Sequence, residues 1–104
     1  MSDIRVHFVS DYNSGNGFRD WLQSQGETVE NIGGHGGIPN TAEVMAVDSN
    51  LIRMDKLAKS TETLPSGFTG DPTRASIRYG MKGLELKIEA AVAQTKELMT
   101  SSRK

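Results

Sequence analysis

IRVHFVS, residues 4–10, alternates Ile4, Val6 and Phe8 with Arg5, His7 and Val9. A period of two, filled with β-branched and aromatic residues, is the pattern of a strand with one apolar face. Behind it, the turn formers SDYNSGNG hand over to Phe18, Trp21 and Leu22 at helical spacing, and Gly26 stands where a left-handed cap would end that helix. ETVENI, residues 27–32, is expected to form a second short strand. The fold class expected from this opening is therefore α/β: a small layered domain of one or two strands with three or four helices.

The length of 104 residues sets one domain over 1–104, with room for a single modest core. Lys and Arg number 12 against 13 Asp and Glu, so no excess charge points to nucleic acid or to an anionic membrane as partner. The absence of cysteine excludes disulfides, thiolate metal sites and thiol nucleophiles, and agrees with a reducing, cytoplasmic setting. No apolar run approaches the roughly 18 residues that cross a bilayer. Hydrophobic content of 36% with 11 glycines is lean for a self-sufficient core, which points to a partner subunit.

Beyond the first helix the chain reads NIGGHGGIPNTAEV over residues 31–44. Asn40 followed by Glu43 forms a capping-box pattern, and a helix is expected through Val44, Met45 and Val47 until DSN interrupts it. Leu51, Ile52, Met54 and Leu57 suggest another short helical piece, and residues 60–70 a loop. Asp71 as N-cap and Pro72 at the first helical position then open a long helix. Ile77, Met81, Leu84, Ile88, Ala91 or Val92, Thr95 and Leu98 give it an apolar stripe, and its length is expected to reach roughly thirty residues. Ser76, Gly80 and Gly83 form a small-residue strip on another side. Each glycine costs about 1 kcal/mol in a helix relative to alanine, so the strip implies close approach of another backbone, with part of the helix packing on a second subunit.

Two loops are candidates for chemistry. DYNSGNGFRD joins the expected strand to a helix, and its Gly15 and Gly17 would let backbone amides meet a phosphate. It lacks the full dinucleotide or Walker pattern, and Asp11 and Asp20 would repel an anion, which favours an ordinary turn. The second loop sets His35 between two pairs of glycines ahead of a helix start, where an unobstructed imidazole could act as a general acid or base. By residue chemistry alone the structural reading of His35 is favoured, because no histidine follows at i+4 and no carboxylate-rich metal motif accompanies it.

HGGIPNTAEVMAVDSNLIRMDKLA followed by GDPTRASIRYGMKGLELKIEAAV resembles the C-terminal part of the creatininase (creatinine amidohydrolase) family. Those enzymes carry there, in the same order, a His-Ala-Gly loop leading to Glu-Thr-Ser, an apolar helix, an Asp-Pro-x-Leu-Val-Arg segment, a Gly-Asp-Pro turn and a long helix. The resemblance implies an α/β layered fold, hydrolysis of a cyclic amide at a two-metal centre, and a tendency to assemble as homohexamers. It gives His35 the role of the family's catalytic histidine and sets Asn40 where the family has a glutamate. Ala42 likewise stands in place of a serine. The family's metal-ligand segments, which precede this part, have no counterpart in the chain.

The reading that results is a creatininase-like C-terminal half domain without amidohydrolase activity on its own, serving as a binding or assembly module. It would form a homo-oligomer through its C-terminal helix and need no cofactor by itself. One alternative is a subunit of a split metal-dependent amidohydrolase, contributing His35 to a zinc or manganese site completed by a complementary subunit. Another is a small α/β module that binds a phosphate-bearing ligand through NSGNG.

Overall fold

The computed structural model describes residues 4–60 and 67–101, and among them there is no strand. Four α-helices carry the fold: α1 (Phe18–Ser24), α2 (Val29–Ile32), α3 (Ile38–Asp48) and α4 (Ile77–Ser101), joined by short 3-10 turns. The domain is all-helical, which overturns the expected α/β layering. A period of two is only half of what a strand needs; the other half is a neighbouring chain to take its backbone hydrogen bonds. Residues 4–9 form no regular element, and Val6 is 91% exposed. ETVENI corrects in the opposite direction. The Thr28 hydroxyl accepts a hydrogen bond from the Asn31 amide and caps a helical turn, which drives Ile32 into the core.

α1 forms as expected, with Gly17 and Gly26 both at positive φ at its two ends. Phe18 and Leu22, four residues apart, turn inward and meet Ile32, Ile38, Ala42 and Tyr79. Burying side chains of this size stabilises the chain by about 1.5–3 kcal/mol each. α3 begins three residues before the expected position: Gly37 is the N-cap, Pro39 sits in the first turn, and Asn40 lies within the helix. At the other end the Asp48 side chain accepts from the Asn50 amide and starts a 3-10 turn over Ser49–Leu51. A second 3-10 turn covers Met54–Lys56, so the expected helical piece is a pair of tight turns. Of the expected loop at 60–70, residues 61–66 lie outside the described residues.

Asp71 is a cap, but of a 3-10 turn, Pro72–Arg74, through a hydrogen bond from the Thr73 amide. Ala75 is extended, and a separate helix starts at Ile77, with the Ser76 hydroxyl accepting from the Tyr79 amide. The long helix is therefore interrupted at its base and then runs for 25 residues. The small strip faces the chain's own core: a Cβ at Gly80 would overlap the Ala42 carbonyl of α3, and one at Gly83 would overlap the Phe18 ring. Close approach of another backbone is met within the chain by α3. The apolar stripe lies outward, with Ile77, Met81, Ile88 and Val92 all exposed and Leu84 half-buried. No helix among the described residues is long and apolar enough to cross a membrane.

Candidate functional site

The glycines around His35 are occupied by packing. The loop from Gly33 to Gly37 lies against residues 68–70, and a Cβ at either Gly33 or Gly37 would overlap the Thr69 carbonyl oxygen. Gly33 also has positive φ, which an L side chain rarely adopts. Thr69 ties the two segments together. Its hydroxyl oxygen accepts from the amides of Gly34 at 2.7 Å and His35 at 3.1 Å, while its own amide donates to the His35 carbonyl at 2.8 Å. The Asp71 amide donates to the Asn31 carbonyl at 2.7 Å and closes the far side of the same junction. Arg19 reaches from α1 to the Gly33 carbonyl at 2.5 Å. His35 is thus held through its backbone while its side chain is exposed.

Asn40 is oriented by the same loop. Its side-chain oxygen accepts from the Gly36 amide at 2.9 Å, reaching back from the first turn as an acidic or amide residue does in a capping box. The sequence pattern assigned Asn40 the cap itself, whereas the structure gives it the reciprocal half of the motif. Asn40 also lines a cleft of about 130 Å³ with Asn13, Asn16, Gly33 and Gly34, walled by Arg19 and Lys87; His35 is not part of it. Both cations are engaged, Arg19 with the Gly33 carbonyl and Lys87 with Glu43 at 2.6 Å. The Lys87 ammonium also stands 5.3 Å from the centre of the Tyr12 ring. The cleft offers amide groups to a small polar molecule.

The NSGNG loop is likewise spoken for. The Asn16 side chain donates to the carbonyls of Asp11 and Tyr12 and accepts from the Phe18 amide at 3.1 Å, so that it closes the loop on itself. Behind it α1 is only seven residues long, a short source of dipole for an anion.

A two-metal centre needs several carboxylate and imidazole ligands around each ion, at about 2.0–2.2 Å. Among the described residues no three His, Cys, Asp or Glu side chains converge on one point. The side chains of the described residues do not fit such a centre, and His7 does not join His35 in one.

The most buried charge lies elsewhere and has no signal in the sequence. Glu27, one residue past the cap of α1, has a side chain only 3% exposed and accepts from two guanidinium nitrogens of Arg74, Nε at 2.5 Å and Nη2 at 3.1 Å, and from the Tyr79 hydroxyl at 2.7 Å. The hydrogen bond from Arg74 holds the Glu27 carboxyl below its ordinary value; burial pushes the other way, and the Tyr79 hydrogen bond adds to the lowering. Tyr79 is raised, chiefly because it donates to that carboxylate and also because it is buried. Trp21 meets the Tyr79 ring edge to face at 5.6 Å, and Arg78 lies over both rings. With both Glu27 carboxylate oxygens and the Tyr79 hydroxyl hydrogen-bonded within the group, it is a lock between the end of α1 and the base of α4. The chain matches no protein-family model, no curated protein and no solved structure.

Proposed function

We propose that the chain is an assembly module of creatininase-like sequence, without amidohydrolase activity of its own. The observation that carries this reading is the allotment of faces on α4. Its small residues seat the helix on its own core, and the apolar stripe Ile77, Met81, Ile88, Val92 remains exposed. Exposed Val6 and Phe8 ahead of the first turn and Leu51 and Met54 on the 3-10 turns add to it, against a small buried core. A lone exposed apolar side chain needs no explanation, but a continuous row of them on one helix marks an interaction surface.

The reading is tested by assaying hydrolysis of cyclic amides by the isolated chain with zinc or manganese supplied. No turnover is expected, and metal-dependent turnover would overturn it. A split amidohydrolase completed by a complementary subunit is a second reading, supported by the exposed His35 ring on a loop that Thr69 holds in place. Metal content of the purified chain, measured with and without a candidate complementary chain, separates the two.

A further inference from the structure

We infer that the partner on the α4 stripe is a second copy of this chain, docked antiparallel with the two-fold axis passing between Leu84 and Ile88. The inference rests on the assembly reading above and adds to it the occupant, the orientation and the register.

Three observations carry it. The first is that the stripe is complementary to itself in that register: Leu84 falls opposite Ile88 of a second copy at the axis, and on either side of it Met81 falls opposite the smaller Ala91 and Ile77 opposite the smaller Thr95. Spacings of three and four residues along the stripe are those that let side chains of two helices interdigitate at a shallow crossing angle. The second observation is area. Ile77, Met81, Ile88 and Val92, each about half exposed, and the half-buried Leu84 together offer somewhat less than the roughly 1,000 Å² of a specific, stable interface when two copies meet. The expected dimer is accordingly weak and concentration-dependent.

The third observation is where the rest of the chain sits. α1 and α3 pack on the first half of α4, around Tyr79, Gly80 and Gly83. A parallel pair would crowd both of these bodies at one end, whereas an antiparallel pair sets them at opposite ends and opposes the two helix dipoles. In that arrangement the last turns of the second copy's α4 run past Ile77. There they meet a groove of about 500 Å³ lined by Met45, Ile52, Met54 and Ile77 together with the polar Ser49, Asn50 and Ser76. The groove and the stripe are then one continuous surface with one occupant.

Because the chain has no cysteine, single-cysteine variants report the register without background. Light scattering across a concentration series should show the parent passing from one chain to two, and Ile88→Lys should remain a single chain while keeping its helical circular dichroism. Under mild oxidation, a mixture of Leu84→Cys and Ile88→Cys should cross-link into the mixed dimer in preference to either like pair. A parent that stays a single chain at every concentration overturns the inference, and so does preferential Ile88→Cys self-coupling, the sign of a parallel pair. Neither outcome depends on turnover, so failure here is distinct from failure of the reading on which it rests.

Discussion

Gly80 of α4 rests on the carbonyl oxygen of Ala42 in α3, with no room for even a methyl group between the two helices. In an isolated helix, replacing glycine by alanine gains about 1 kcal/mol. Here the added carbon must push the crossing apart, which costs about 1–3 kcal/mol in a packed core. Gly80→Ala should therefore lower the urea midpoint in spite of its better helix propensity, and Gly80→Leu should lower it further, to the point of unfolding. An unchanged or raised midpoint for Gly80→Ala would mean that the two helices do not cross this closely.

The Glu27, Arg74 and Tyr79 group predicts how stability follows pH. The folded Glu27 carboxyl is held below 4.5, so its contribution is present above that value and is lost as pH falls through the lower folded value. The folded Tyr79 hydroxyl is raised above 10.0, so its contribution is present below that value and is lost as pH rises through the higher folded one. Arg74 is half-exposed, and solvent screens its part of the pair. Glu27→Gln should cost about 1–3 kcal/mol at neutral pH, the range for breaking a buried polar group's partners. It should also flatten the acid side of a plot of urea midpoint against pH; a variant that keeps the parent's acid slope would show that another carboxylate sets it.

How far the sequence reaches is visible at these same residues. The helical spacing of Phe18 and Leu22, the cap at Gly26 and the helix through Met45 follow from local rules and appear in the structure. The strand at 4–9 does not: alternation records a preference that becomes a strand only beside another strand, and there is no strand among the described residues. The two faces of α4 were both legible as faces, but which one points inward depends on what α3 presents to it. Ala42 presents bare backbone, which only glycine can meet. Glu27 stayed hidden for a related reason: its partners lie 47 and 52 positions away, and no local pattern announces a pair at that distance. At the candidate site, the glycines and His35 were conspicuous, while Thr69, which explains most of them, was an ordinary loop residue.

Thr69 supplies the next expectation. Its hydroxyl oxygen accepts from two successive amides, Gly34 and His35, while its backbone amide would survive substitution. Thr69→Val keeps the shape and removes the acceptor. Both amides are exposed to water when released, so the cost to global stability should stay at about 1 kcal/mol. The sharper readout is local: hydrogen exchange at Gly34 and His35 should speed up by more than at the α3 amides. Equal acceleration in both places would mean that the loop opens only with the whole domain.

His35 itself gives the last prediction. The loop holds its backbone on both sides, through the amide to the Thr69 hydroxyl and through the carbonyl to the Thr69 amide, and its side chain is exposed. Removing an exposed ring that carries no packing should shift stability by no more than about 0.5 kcal/mol. His35→Ala should therefore match the parent in urea midpoint and in helical circular dichroism, and, on the assembly reading, in its concentration-dependent mass as well. If a complementary subunit does use the ring, this variant would bind that subunit with its own fold intact and lose metal from the complex. A large fall in the stability of the isolated His35→Ala chain would instead place the imidazole inside the structure, against a neighbour that the present arrangement does not give it.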